Sequence, residues 1–157
     1  MGFVGAFAAR DEFIGTIRFV PMGLGLAPCE ALLRAQHDLS IDEYENSWEV
    51  GRLVLAPRYR SAPEVLRRCL FLTFMCLAKK TSSMNFFASC TPLLSRLYRR
   101  FGFSVLVKDL CCSPDESYSL IHGRMPEVLL ALASNGVERG QAECELARMD
   151  RTCRAEQ

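Results

Sequence analysis

The sequence has only two histidines and one tryptophan, and its eight cysteines form no C-x-x-C motif. Zinc sites in small domains use closely spaced cysteines or histidines, and neither histidine lies near a cysteine pair. The cysteines fall at 29, 69, 76, 90, 111, 112, 144 and 153, a spacing that is not typical of a disulfide framework. We therefore expect no metal site and mostly buried, reduced thiols.

Long hydrophobic runs are also missing. The longest, Cys69–Ala78, is about half of the roughly 20 residues that a helix needs to span a bilayer. No basic segment precedes an apolar stretch at the N-terminus, so the sequence predicts no signal peptide. We expect a cytoplasmic protein without a transmembrane segment.

The chain has little excess of either charge, with a formal net charge of +1, which argues against a nucleic-acid binder. The charges are nevertheless unevenly distributed. Between Arg52 and Lys108 there are eleven Lys or Arg and one acid, Glu64, a net charge of +10, whereas the remaining residues hold eight bases and seventeen acids, a net charge of −9. A basic segment of this strength predicts an acidic partner or an anionic substrate.

Hydrophobic patterns and turn residues predict an α+β domain with a mixed sheet. Pro63 suits the first position of a long helix that runs to about Lys80 and is apolar all round in its second half. The predicted strands are Phe3–Ala9, Phe13–Val20, Trp48–Leu55, Met84–Ser89, Phe103–Lys108 and Tyr118–Arg124. The other predicted helices are Pro28–Ala35, Pro92–Phe101 and Pro126–Ser134, followed by a charged tail over 137–157 that can form a helix.

Two segments, together with this order of elements, resemble the GCN5-related N-acyltransferases. Leu97–Phe103 is similar to the Y-x-x-x-G-F passage from helix to strand in that superfamily, and Arg52–Arg60 resembles its fourth strand and the start of its donor-binding loop. The resemblance implies a mixed sheet flanked by helices, without the first strand and first helices of that fold. It places the acyltransferase-like domain at 1–136.

A sharper resemblance covers two further segments. Gly15–Pro21 and Trp48–Arg52 are similar to the "G-x-x-R-L-L-P … W-E-x-S-R-F" pattern of acyl-homoserine-lactone synthases and long-chain N-acyl amino acid synthases. Gly51 replaces the serine of the pattern and Leu53 its phenylalanine, which favours the amino acid synthases. This resemblance implies transfer of a long fatty acyl group from acyl carrier protein to the amino group of an amino acid.

The predicted donor loop, Arg60–Val65, lacks the glycine-rich turn with which acetyl-CoA-dependent members bind a pyrophosphate. Pro63 has no N–H group, and Glu64 places a negative charge where the pyrophosphate would lie. A pantetheine on a carrier protein has a single phosphodiester and needs less of this loop. We therefore expect acyl-phosphopantetheine on acyl carrier protein, or else acyl-CoA, as co-substrate, with no tightly bound cofactor.

The resemblance assigns catalytic roles to three residues. Glu49 is the candidate base, Arg52 matches the family arginine, and Tyr98 is a candidate proton donor to the leaving thiolate. Since residues 49 and 52 would face opposite sides of a regular strand, a shared site requires a β-bulge at or near Gly51. The alternatives are an ordinary strand carboxylate for Glu49 and a packing tyrosine for Tyr98.

Further residues are expected at the substrates. Arg18 either binds the carboxylate of the acceptor or forms a structural salt bridge. The residues expected to bind substrate are Arg18, Trp48, Leu53, Val54 and Leu55. The arginines expected at the donor and its carrier are Arg58, Arg60, Arg67, Arg68, Arg96, Arg99 and Arg100. The alternative is a solvated basic face without a partner.

Four functions remain open at this point. They are N-acyl amino acid synthesis, lactone synthesis from S-adenosylmethionine, acetyl-CoA-dependent N-acetylation and a non-catalytic domain that binds a carrier protein. The elements that cover the acceptor site in this superfamily are not evident in the sequence. A second copy of the chain is therefore an expected partner, by self-association.

Overall fold

In the computed structural model, residues 3–36, 46–113 and 116–155 are described. Within them, the backbone forms one mixed six-stranded sheet in the order β1-β2-β3-β4-β6-β5, which confirms the predicted α+β class. Among the strands of these described residues, only β3 and β4 run parallel to each other. The strands are β1 Phe3–Ala9, β2 Glu12–Pro21, β3 Trp48–Leu55, β4 Asn85–Cys90, β5 Phe103–Ser113 and β6 Glu116–Arg124.

Prolines begin most of the helices, as expected for a residue that lacks the N–H group left unpaired there. Pro63 opens the helix Pro63–Lys80 at the predicted position, and the Thr91 hydroxyl caps the next helix by accepting from the Leu94 amide at 3.4 Å. The α-helices are α1 Pro28–Arg34, α2 Pro63–Lys80, α3 Pro92–Arg99, α4 Met125–Leu132 and α5 Gly136–Ala155.

The helices cover the two faces of the sheet unequally. Side chains from α2, α4 and α5 pack with one face of the sheet in the main core, and α3 packs against its edge through Leu97 and Tyr98. On the other face, α1 packs through Cys29 and Leu33 in a smaller cluster. Successive residues of β4 point to opposite faces of the sheet, so Phe86 lies in the main core and Phe87 in the smaller cluster.

The predicted tail over 137–157 contributes to the main core rather than extending from it. The helix α5 buries Ala142 and Met149 against the rest of that core. Asn135 accepts a hydrogen bond from the Glu138 amide at 2.9 Å, which satisfies one of the free N–H groups at the start of α5. The described part of the tail is thus packed with the domain.

The strand β5 is longer than predicted. The pattern suggests an end at Lys108, but the strand continues to Ser113 and pairs with β6. The register shifts between Val107 and Leu110, and Asp109 has φ of +56°. Such an irregularity breaks the alternation of apolar and polar residues on which the sequence prediction depends.

Candidate active site

The parallel strands β3 and β4 diverge after two paired positions. Trp48 pairs with Phe86 and Glu49 with Phe87, and no later residue of β3 pairs with β4. β4 instead continues its pairing with β6 as far as Cys90. A cleft of about 210 Å³ lies where the two strands separate, which we call the donor cleft. It is lined by Ile17, Val50, Gly51, Arg52, Leu53, Leu70, Phe74, Ala88, Ser89, Cys90, Thr91, Leu94, Tyr98, Phe103 and Tyr118.

A β-bulge lies at the mouth of this cleft, as the sequence predicts. From Thr16 to Arg18, β2 advances by two residues, while the opposing strand advances by three, from Val54 to Gly51. The backbone of Arg52 takes φ of +49°, in the left-handed region that non-glycine residues seldom adopt. Because a bulge leaves its extra residue outside the ladder, backbone groups here are available to a ligand.

Glu49 points to the α1 side of the sheet. The residue is only 4% exposed, and its carboxylate accepts hydrogen bonds from the Cys29 amide at 2.6 Å and from Arg18 at 3.3 Å. Its Oε1 lies 3.4 Å from the position that a Cβ on Gly51 would take. The carboxylate therefore extends along β3 toward the bulge, and Gly51 adjoins both this carboxylate and the donor cleft.

Arg18 lies opposite Gly51 in the β2–β3 ladder. Its guanidinium makes one contact with Glu49, and its Nε is buried without a hydrogen-bond partner among the described residues. A buried donor without a partner costs roughly 1–3 kcal/mol, so an anionic ligand that accepts from it would be favoured. Arg18 thus forms the ion pair that one sequence interpretation expects, while its proposed contact with the acceptor's carboxylate stays a prediction.

Tyr98 lies in the donor cleft on α3. Its ring packs against Phe103 and Phe101, with centroid distances of 5.6 and 6.3 Å. Burial, with a smaller contribution from nearby Cys90, raises the pKa of Tyr98 to about 12. The phenol therefore remains protonated near neutral pH and is available as a hydrogen-bond donor in the cleft.

The two cysteines near the site are poor nucleophiles. Burial, followed by the Glu49 carboxylate, raises the pKa of the Cys29 thiol far above its usual value. Burial also raises the pKa of Cys90 to about 11. Since the thiolate is the reactive form of cysteine, this environment argues against an acyl-cysteine intermediate at either position.

The structure distributes the other expected substrate residues unevenly. Leu53 lines the donor cleft, whereas Trp48, Val54 and Leu55 do not. Val54 is exposed, Leu55 is buried and Trp48 packs against the main core. Beyond the bulge, exposed and more buried residues alternate from Arg52 to Leu55, so Val54 points away from the face that Leu53 and Leu55 share.

Four of the seven expected donor arginines have partners within the chain. Arg67 is only 8% exposed and pairs with Glu64 at 2.7 Å and Glu138 at 3.0 Å, so it is held in the fold and we remove it from the docking surface. Arg68 is exposed but pairs with Glu138 at 3.1 Å. Arg58 is exposed but pairs with Glu12, and the Nε of exposed Arg60 donates to the Leu55 carbonyl at 3.1 Å. The remaining three, all exposed, are Arg96, Arg99 and Arg100.

The donor loop offers few free amides. The Arg60 amide donates to the Pro57 carbonyl at 3.4 Å and the Ala62 amide to the Tyr59 carbonyl at 3.1 Å, while Pro63 has no N–H group. Glu64 is exposed at the first turn of α2. At the start of α2, a pyrophosphate would face amides that are already hydrogen-bonded and the negative charge of Glu64.

Several cleft residues are not evident from the sequence alone. Leu70 and Phe74 of α2 and Ser89 of β4 line the cleft beside the predicted residues. Within the described ranges, no three His, Cys, Asp or Glu side chains lie together as metal ligands would. Over the same residues, none of the helices is long and apolar enough to cross a membrane.

Comparison with solved structures identifies the fold. FeeM, an N-acyl amino acid synthase from uncultured soil microbes, aligns with a TM-score of 0.64 and 14% identity over 85% of this chain and 75% of that chain. MesI, a CoA-dependent acyl-homoserine lactone synthase, aligns at 0.59 and 16% over 85% and 71%. A putative N-acetyltransferase from Lactobacillus plantarum aligns at 0.55 and 15% over 78% and 68%.

The similarity to known proteins is found in the structure and not in the sequence. No protein-family model matches the chain, and no curated protein matches it significantly. The identities to the solved structures, 14–16%, support a shared fold and no finer relationship. The chain therefore has the fold of the GCN5-related N-acyltransferases.

Proposed function

We propose that the protein is an N-acyltransferase that moves an acyl group from a pantetheine thioester in the donor cleft to an amine on the α1 side. The observation that carries this proposal is the bulge at Arg52. It adjoins the cleft on one side and the pair of half-buried Arg18 with buried Glu49 on the other, with Gly51 common to both. A thioester carbonyl at the bulge would be accessible to an amine beside Glu49.

The residues support aminolysis of a thioester by the following bond changes. The amine nitrogen attacks the carbonyl carbon and passes its proton to Glu49, while a backbone amide at the bulge stabilises the oxyanion. The carbon–sulfur bond then breaks. The leaving thiolate takes a proton from Tyr98, and solvent returns the proton held by Glu49 to the tyrosine.

Arg18 defines the class of acceptor. Its free Nε lies next to the proposed base, so a carboxylate bound to it would hold the neighbouring amine of the same molecule close to Glu49. An α-amino acid carries both groups on one carbon. The arrangement therefore supports an amino acid as acceptor rather than a simple amine.

The surface beside the cleft supports a carrier protein as donor. The helix α3 lines the cleft with Leu94 and Tyr98 and presents Arg96 and Arg99 to solvent. Leu93, at the start of the same helix, is 76% exposed. Exposed arginines beside an apolar side chain suit the binding of an acidic helix of a partner protein. The amides of the donor loop that are already hydrogen-bonded within the chain disfavour the pyrophosphate of CoA.

The size of the donor cleft favours a second candidate, transfer of a short acyl group. Ligand pockets typically have volumes of about 300–1,000 Å³, and the cleft has about 210 Å³. A long fatty chain therefore requires β3 and β4 to separate further. Acyl chain length is the property that distinguishes the two candidates.

One experiment tests the proposal. The protein is incubated with acyl carrier protein charged with chains of 2 to about 16 carbons, or with the matching acyl-CoA, and with a mixture of amino acids or S-adenosylmethionine, and products are read by mass spectrometry. N-acyl amino acids that require the carrier support the proposal, and their chain length selects between the candidates. Acyl lactones would identify a lactone synthase, and carrier binding without product a non-catalytic domain.

The docking surface has its own control. Reversal of charge at Arg96 and Arg99 should weaken carrier binding and flatten its dependence on salt, because surface charge pairs are screened by ions. The same reversal at Arg139, an exposed residue of α5, should leave binding unchanged. Equal binding by all three proteins would remove α3 from the proposed docking surface.

A further inference from the structure

The two edges of the sheet are formed by β1 and β5. An edge strand presents a row of N–H and C=O groups that can pair with a strand of another chain. Proteins commonly prevent such pairing with charged side chains, proline or β-bulges in the edge strand itself. The residues of each edge strand therefore indicate whether that edge can accept a partner.

The β5 edge carries several of these obstacles. Its register against β6 shifts at three places, and at each of them the extra residue belongs to β5. Lys108 is exposed and Asp109 has φ of +56°, so charge and backbone geometry both interrupt this edge. A second strand would therefore meet no regular ladder along β5.

The β1 edge is regular and uncharged. The strand contains no charged residue and no proline over its seven residues. Its register against β2 shifts between Phe7 and Ala8, but the extra residue, Ile14, lies in β2 and leaves β1 itself regular. Among the strands of the described ranges, none pairs with the outer side of β1. At about 3.4 Å per residue, this edge offers a ladder of about 24 Å.

Apolar surface adjoins the β1 edge. The strand lines a groove of about 700 Å³ whose opposite wall, on α2, includes Leu72, which is 49% exposed. Ala6 and Ala8 are exposed, and Phe13, which pairs with Ala8, is 54% exposed. Contiguous apolar surface of this kind marks an interface with another molecule.

The sequence of β1 is complementary to itself. In an antiparallel pair of two β1 strands centred on Ala6, this residue faces its own copy, and Gly5 of each strand faces Phe7 of the other. A glycine in an edge strand leaves a gap that an aromatic residue of the neighbouring strand can cover. The remaining pairs are Phe3 with Ala9 and Val4 with Ala8. Each larger residue thus faces glycine or alanine, which favours a second copy of the chain over an unrelated strand.

We propose that two copies of the chain associate through β1, which pairs antiparallel with the β1 of the second copy in the register centred on Ala6. The two six-stranded sheets then form one continuous sheet around a two-fold axis, the commonest symmetry of protein dimers. This assigns a surface to the self-association expected from the sequence. It does not depend on the proposed acyl transfer.

The test measures the mass of the full chain in solution by light scattering over a range of concentrations. We expect the mass of two chains of 17.7 kDa each. Ala6→Lys should raise the dissociation constant by about tenfold or more, because the two lysines would lie directly opposite each other. Leu106→Lys is the matched control, since it places the same charge at an exposed apolar position of β5, and it should leave the dimer intact.

An exchange of charge tests the register itself. Ala6→Asp alone should also be monomeric, since two carboxylates would then face each other. A mixture of Ala6→Asp and Ala6→Lys should form a dimer with one chain of each kind, because opposite charges meet across the two-fold axis. Recovery in the mixture also demonstrates that both variants are folded.

Three results would overturn the proposal. The first is an unmodified protein that remains a monomer at every concentration. The second is a dimer that Ala6→Lys leaves intact, in which case dissociation by Leu106→Lys would place the contact at β5 and dissociation by Leu72→Glu would place it at α2. The third is a mixture of the two Ala6 variants that does not recover the dimer, which would exclude this register.

Discussion

Two arginine–glutamate pairs, each with a buried carboxylate, differ in how completely their hydrogen-bonding groups are used. Arg67 donates to Glu64, to Glu138 and to the Leu132 carbonyl, and Glu138 also accepts from Ser134 at 2.9 and 3.0 Å. Arg18 makes a single contact of 3.3 Å with Glu49, and its Nε has no partner among the described residues.

This difference distinguishes an ion pair that stabilises the fold from an ion pair that can also bind a ligand. Breaking a satisfied buried pair leaves a charge without compensation, so stability suffers. In a pair with an unused donor, the folded protein already lacks one hydrogen bond, and a bound ligand can supply it. We therefore expect the Arg67–Glu138 pair to determine stability and the Arg18–Glu49 pair to determine activity.

The largest effect is expected for Glu49→Gln. The amide keeps an oxygen for the Cys29 N–H group but cannot accept a proton from the amine, so kcat should fall by about 10²–10⁴-fold. The free energy of unfolding should fall by only about 1–3 kcal/mol, the contribution of a hydrogen bond to a charged group. Steady-state kinetics and urea denaturation measure the two quantities.

The control for this variant is Glu127→Gln, which removes an exposed carboxylate from α4, 4.0 Å from Arg124. It should change neither quantity. If Glu49→Gln keeps its activity and loses more than about 3 kcal/mol of stability, Glu49 belongs with the structural pairs and the proposed base is wrong.

Glu138→Gln should have the converse effect. It leaves the buried Arg67 charge with Glu64 alone, and breaking such a pair costs about 3–5 kcal/mol. Urea denaturation measures this loss, and kcat per folded molecule should not change. Glu143→Gln is the matched control, because its exposed pair with Arg139 on the same helix should contribute only about 0.3–0.5 kcal/mol.

Replacing Arg67 or Arg18 by lysine tests the same distinction with smaller expected effects. Arg67→Lys loses a planar group that contacts three partners, so unfolding should become easier by about 1–3 kcal/mol without a change in KM. Arg18→Lys loses the Nε donor, so KM for the amino acid should rise about tenfold with kcat and stability little affected. Equal effects of the two variants on KM would contradict the distinction.

The smallest effect is expected in acid. Burial raises the pKa of Glu138, but hydrogen bonds from Ser134 and Arg67 outweigh it and lower that pKa overall, and a hydrogen bond from Arg67 also lowers the pKa of Glu64. A carboxylate whose pKa is lower in the folded state stabilises the protein above its unfolded pKa and loses this contribution as pH falls through the folded value. Stability should therefore decline below about pH 4.5, with a shallower slope in Glu138→Gln. An unchanged slope in that variant would exclude Glu138 as the cause.

Much of the site can be predicted from the sequence. Residues 49 and 52 would face opposite sides of a regular strand, so their joint use requires a bulge, and the structure has one at Arg52. The helix from Pro63 to Lys80 is evident from its first proline and its apolar length. Proline geometry alone predicts the start of the helix, whereas strand alternation predicts the bulge only together with the shared site that the resemblance implies for residues 49 and 52.

Other parts of the site depend on contacts between distant segments. Arg67 and Arg68 are adjacent in a basic stretch, and only the position of α5 shows that both pair with Glu138. Leu70 and Phe74 have the pattern of ordinary core residues, and they line the cleft because β3 and β4 separate beneath α2. Apolar periodicity shows that a residue is buried but not what it is buried against.

The sequence by itself determined the class of fold, the order of its elements, the bulge and the absence of a glycine-rich donor loop. These features follow from short-range rules of backbone geometry and hydrophobic alternation. Only the tertiary structure decided which charges are used within the fold and which are available, and where the apolar surface remains open. Those properties depend on residues that lie far apart along the chain and meet only when the sheet and helices pack.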